Sequence, residues 1–239
     1  MELSEYLDAI TRESGALADA AERAGVDAPV PSCPDWTVAD LLAHLGGVQQ
    51  WARVTVEQRA TERISRRDLP GPPEGADLVA WFREQASLLA STLAATDPTS
   101  LAWSWTDDRT AAFWFRRQAN EAAVHRWDAE LASGKTVELD AVLAADGIDE
   151  SLTMLSFRKD ITGNGETVHL HCTDTTGEWL VVRDGDDLVV TREHAHGDVA
   201  ARGTASDLLR FLWGRGAVDQ LEVFGYRAAL ERFRDQITI

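Results

Sequence analysis

The chain has 239 residues, enough for one large domain or two modest ones, and its 44% hydrophobic and 26% charged residues exclude a disordered polymer. Forty acidic against 23 basic side chains leave a formal net charge of −17, which repels phosphate backbones and anionic lipid and excludes nucleic acid as an expected partner. Two cysteines, Cys33 and Cys172, exclude a disulfide framework, and no apolar run approaches the roughly 20 residues of a membrane span.

The opening residues are acidic and lack the basic and apolar regions of a signal peptide, so a cytoplasmic location is expected. Residues 3–24 place Tyr6, Leu7, Ile10, Leu17 and Ala21 at helical spacing, and Gly25 follows as a stop. Residues 28–34 carry two prolines and read as a loop. Thr37 then begins a second helix, with Asp40 three residues on completing a variant of the capping box. That helix runs to about residue 59 and buries Val38, Leu41, Leu42, Leu45 and Val48. Residues 69–75, rich in proline and glycine, break the chain before a third helix over about 77–95 and a fourth over about 110–132.

After Gly134 the texture changes, and residues 134–147 read as a connection. Segments 167–173, 179–183, 188–192 and 198–202 are short and alternate apolar with polar residues, as strands do. Gly177, Gly185 and Gly197 suit antiparallel turns between them. Residues 205–213 and 226–233 read as helices. The expected architecture is a four-helix bundle over 1–147 and a small α+β domain with an antiparallel sheet over 148–239.

The strongest chemical signal lies in the fourth helix. Glu121 and His125 are four residues apart and therefore share one helix face, where a carboxylate and an imidazole can address one ion. Such pairs also occur on solvated faces, so the pair alone is ambiguous. Asp128 extends the stripe, placed either to orient His125 or to face water. His44 shares the side of the second helix that carries Leu41 and Val48, and so points inward. Convergence of His44, Glu121 and His125 accounts for all three polar residues at once. Two imidazoles and a carboxylate fill three positions of Zn²⁺ and leave one open, and the same set suits nickel, iron or manganese. Arg116, Arg117 and Arg126 are expected to turn away from this stripe. His169 and His171 share a strand face, as do His194 and His196; with no third ligand in view, a polar sheet face is expected. Cys33 reads as structural. Trp103, Trp105 and Trp114 cluster around the fourth helix as core.

The run from Cys33-Pro-Asp-Trp-Thr-Val-Ala-Asp to His44-Leu-Gly-Gly, with Asn120-Glu121-Ala-Ala-Val-His125-Arg-Trp-Asp128, resembles the mycothiol-dependent maleylpyruvate isomerase family of actinobacteria. The tail resembles that family's C-terminal domain in Gly203-Thr-Ala-Ser-Asp-Leu-Leu and Leu212-Trp-Gly-Arg215. Asn120 stands where many relatives carry a histidine, and Phe224-Gly225-Tyr226 where relatives often have Gly-Asp. The resemblance implies a DinB-like metal-binding bundle followed by a sterol-carrier-like domain, with His44, Glu121 and His125 as metal ligands. It implies mycothiol as co-substrate for isomerisation or thiol transfer to a small electrophile. A monomer or a homodimer is expected. Arg215 is the residue expected to hold the substrate's carboxylates, through the planar fork of its guanidinium. The alternative is a non-catalytic metal-containing protein that binds a small apolar ligand.

Overall fold

The structure, a computed structural model, describes residues 1–158, 160–161 and 163–237. It divides into two compact units, Met1–Glu138 and Leu139–Ile239.

The first unit is built from α1 (Leu3–Ala24), α2 (Val38–Glu57), α3 (Leu78–Ala95) and α4 (Ala111–Ala132). Local chemistry sets their ends. The Thr37 hydroxyl accepts from the Asp40 amide at 3.3 Å, while the Asp40 carboxylate accepts from the Thr37 amide at 2.8 Å, so the capping box is complete. Asp77 caps α3, accepting from the amides of Val79 and Ala80. At the end of α1, Gly25 turns with φ +84°, a conformation that a side chain would strain. Apolar residues recurring at helical spacing fill the interior, with Ile10, Leu17, Leu41, Leu42, Leu45, Phe82, Leu89 and Trp114 all fully buried. Helix α4 is the central element, hidden on nearly every side, including at Gln118, Asn120, Glu121, His125 and Asp128. Polar groups sunk so deep need partners, and this is where the site lies.

The second unit opens with α5 (Ala141–Leu155), capped by Asp140. Residues 134–147 are thus no simple connection, and the expected junction at 147/148 falls inside this helix. Gly147 suggested a break, yet it is buried in mid-helix among Leu143, Ala144 and Ile148. The helix belongs to the second core, since Ser151 accepts from the indole of Trp213 at 3.1 Å and Asp149 from that of Trp179 at 3.0 Å. Strands β1 (Gly163–Cys172), β2 (Glu178–Gly185), β3 (Asp187–Thr191), β4 (Val199–Gly203) and β5 (Glu222–Gly225) form one sheet in the order β3-β2-β1-β4-β5. Helices α6 (Ala205–Leu212) and α7 (Arg227–Ile237) complete the unit. Neighbouring strands are antiparallel except β1 and β4, which are parallel. The parallel pair requires the chain to leave the β3 edge and cross two strands before entering β4. Val168, Leu170, Val181, Val199 and Ala201 bury one face of the sheet completely. β5 is four residues long, too short to announce itself by alternation.

Candidate metal centre in the helical bundle

Nearly two turns into α2, His44 faces α4, where Glu121 and His125 stand four residues apart. Each contributes one ligating atom, and the three atoms lie within 4.8 Å of one another. Glu121 Oε1 is 3.7 Å from His44 Nε2 and 3.5 Å from His125 Nε2. Atoms bound to a common zinc at about 2.0–2.1 Å in tetrahedral geometry stand roughly 3.3 Å apart, so small side-chain adjustments would let these three hold one ion. Among the described residues no fourth His, Cys, Asp or Glu joins the group.

The surroundings hold each donor in place. The far nitrogen of His125, Nδ1, is 2.9 Å from Asp128 Oδ2. With an ion in the site, a carboxylate there would favour the tautomer that carries its proton on Nδ1 and leaves the Nε2 lone pair for the ion. Asp128 is fully buried, and its other oxygen accepts from the Ser32 hydroxyl at 2.5 Å. Ser32 comes from a loop that folds back on itself, where the Val30 amide donates to Trp36 O and the Trp36 amide to Cys33 O. The same loop sets the Trp36 ring 4.8 Å from that of His44 and 6.2 Å from that of His125. Cys33 is a half-buried thiol packed on the apolar core.

Arg117 corrects one expectation. It does not turn away from the stripe; it forms a buried ion pair with Glu121 Oε2. The reason is the same helical arithmetic that joins Glu121 to His125, since Arg117 precedes Glu121 by four residues. Arg126, by contrast, pairs with Glu13 at 2.8 Å. Burial would push the Glu121 carboxyl up, but the Arg117 charge and hydrogen bonds from His125 and His44 hold it well below the usual carboxylate range. Burial lowers the pKa of His44. Burial acts the same way on His125, but hydrogen bonds to Asp128 and Glu121 outweigh it and leave that pKa raised. Trp36 is an aromatic residue that lies beside both histidines. Trp103, Trp105 and Trp114 instead form a separate cluster with Trp51.

Residues 7–130 match the model of the mycothiol maleylpyruvate isomerase N-terminal domain, and residues 142–232 match that of the MDMPI C-terminal domain. The chain belongs to the mycothiol maleylpyruvate isomerase family. Its fold agrees with two crystal structures of the mycothiol-dependent maleylpyruvate isomerase, one of them a histidine-to-alanine mutant. The mutant superposes with a TM-score of 0.66 at 12% identity and the other with 0.64 at 13%, each match covering 93% of both chains. No curated protein sequence matches the chain.

Within the family's C-terminal domain, Arg215 follows α6 in a tight turn. Its Nη1 donates to Trp213 O at 2.7 Å, and its guanidinium lies 5.6 Å from the centre of the Trp213 ring. Among the described residues, no helix is long and apolar enough to cross a membrane.

Proposed function

We propose that this family member is a divalent-metal-dependent enzyme that uses mycothiol to isomerise a small electrophile or to transfer the thiol to it. The observation that carries the reading is the convergence of His44 Nε2, His125 Nε2 and Glu121 Oε1, with Asp128 holding His125 from behind. His44, Glu121 and His125 would hold the ion, most suitably zinc, since two imidazoles and one carboxylate are a donor set it accepts. When bound, such an ion favours the thiolate of a coordinated thiol at neutral pH. Three protein ligands leave room for that thiol, which supports catalysis over a purely structural ion.

The chemistry then needs little more than positioning. A thiolate adds to one carbon of a conjugated cis alkene, the former double bond rotates as a single bond, and expulsion of the same thiolate leaves the trans alkene. The thiol is regenerated, so atoms and electrons balance. With an electrophile that carries a leaving group, the same attack ends in transfer. Asp128 keeps His125 in one orientation and one tautomer. Arg117 is committed to Glu121 and keeps that carboxylate ionised at depth. Arg215 is assigned to the substrate's carboxylates, for which a planar cation is the natural partner.

The test is turnover of maleylpyruvate by the full-length chain with mycothiol, with metal content measured on the same samples. H44A/H125A is expected to lose the bundle's ion and to lower turnover on the order of 100-fold or more, whereas R215A lowers turnover by a similar factor with metal content unchanged. Full turnover by H44A/H125A after loss of the ion would refute metal dependence. Full turnover by R215A would remove Arg215 from the mechanism. A wild-type chain that holds the ion and consumes neither substrate nor thiol would favour the non-catalytic binding protein.

A further inference from the structure

A second group of ligand-type side chains stands on the C-terminal sheet. His169 and His171 alternate along β1 and project from the face opposite the buried Val168 and Leu170. In the antiparallel register His171 lies opposite Glu178 of β2, and His169 opposite Leu180. Glu178 is therefore the direct neighbour of one histidine and the diagonal neighbour of the other. The fourth member, His194, arrives from the segment that crosses the sheet between β3 and β4. That crossover ends close against the backbone of β1, since a Cβ on Gly197 would stand 3.0 Å from the amide nitrogen of His169 and 3.1 Å from Thr167 O.

We propose that His169, His171, Glu178 and His194 form a second metal site, taking a zinc-like divalent ion and pinning the crossover to the sheet. One ligating atom from each residue lies within 4.8 Å of all the others. Glu178 is the hub: its oxygens are 2.9 Å from His171 Nδ1, 2.6 Å from His194 Nδ1 and 3.3 Å from His169 Nε2. The rings crowd as closely, with centroids 5.6 Å apart for His169 and His194, and 6.2 Å for His169 and His171. Ligands of one tetrahedral zinc stand roughly 3.3 Å apart, a spacing between the Glu178 contacts and the 4.8 Å limit of the group, so modest side-chain adjustments would seat the ion.

The other explanation is a carboxylate hydrogen-bonded to a polar patch, and one atom argues against it. His169 is only 6% exposed, and its Nε2 is buried without a hydrogen bond among the described residues. A buried nitrogen left so is costly, and Glu178, already serving His171 and His194, approaches it without hydrogen-bonding geometry. An ion between the four groups satisfies that nitrogen together with the rest. Three imidazoles and a carboxylate close a four-coordinate shell, which suits a structural ion and leaves no position for a substrate. The site shares no ligand with the bundle's group, so either can exist without the other.

The test is zinc titration of the full-length chain, stripped with a chelator and read against a competing chromophoric chelator. Wild type and H44A/H125A are compared with H171A/H194A. His171 is half-buried and His194 exposed, so their replacement spares the apolar core, and circular dichroism checks the fold. With both sites present, wild type binds two zinc ions per chain, and each double variant binds one. H171A/H194A weakens the sheet site by about 100-fold or more, and E178Q weakens it in the same direction without removing the side chain's bulk. Should the bundle bind nothing, wild type and H44A/H125A each retain one ion and H171A/H194A none, which still supports the sheet site. Equal stoichiometry and affinity in wild type and a folded H171A/H194A overturns it.

Discussion

Asp128 shows how much a single side chain does at a distance from the reacting atoms. It is fully buried, it is 2.9 Å from His125 Nδ1, and its other oxygen is engaged by Ser32. Replacing it by asparagine keeps the volume but removes the charge that holds the imidazole. Asp128→Asn is expected to weaken zinc binding in the bundle by about 10- to 100-fold with the helical signal unchanged, as measured by chelator competition on the H171A/H194A background. Unaltered affinity would mean that the carboxylate serves the fold and not the ion. At this scale the candidate ligands were legible because the i, i+4 rule and the inward stripe of α2 are properties of sequence. Arg117 was equally legible by that rule, although nothing in the sequence says which of several arginines a buried carboxylate recruits. Trp36 was not, because its approach to His44 depends on a loop closed by backbone hydrogen bonds.

Among elements, α2 offers a sharp contrast between two adjacent glycines. A Cβ on Gly46 would fall 2.3 Å from the ring of the nearly buried Trp81, whereas one on Gly47 meets only Arg66 Nη2 at 3.6 Å. Alanine gains up to about 1 kcal/mol of helix propensity at either position. At Gly46 that gain is outweighed by forcing apart α2 and α3, since overpacking costs about 1–3 kcal/mol. Gly46→Ala should therefore lower the denaturation midpoint while Gly47→Ala leaves it unchanged or raises it, as read by chemical denaturation. Loss of stability in both would implicate backbone freedom over the Trp81 contact. The four bundle helices could be read from periodicity and caps. Helix α5 could not, because Gly147 imitates a break when its burial is unseen. The His169–Glu178–His194 group was hidden for a related reason: two strand registers and a crossover bring together residues that sequence shows only as separate pairs.

For the molecule as a whole, the net charge of −17 sets how it responds to its medium. Many of the ion pairs are exposed, such as Arg83 with Asp19 and Glu22, or Arg227 with Asp219 and Glu231, and each contributes little. The unpaired excess of negative charge repels itself, and salt screens that repulsion as the Debye length falls from about 30 Å at 0.01 M to about 8 Å at 0.15 M. The melting temperature should accordingly rise with sodium chloride over that range in differential scanning calorimetry. A fall would mean that the surface ion pairs outweigh the repulsion.

The strip between α4 and α5 has a practical consequence. Lys135 is one of two lysines in the whole chain, and it lies exposed with Gly134 and Thr136 just past the end of α4. A lysine-specific protease therefore finds a cleavable bond in accessible chain at the seam between Met1–Glu138 and Leu139–Ile239. Brief digestion should release a fragment ending at residue 135, detected by mass spectrometry. Because the cut crosses neither hydrophobic core, the nicked protein should keep its circular dichroism. Scarcity of one residue type and the exposure of one short strip together turn an ordinary enzyme into a scalpel for this molecule.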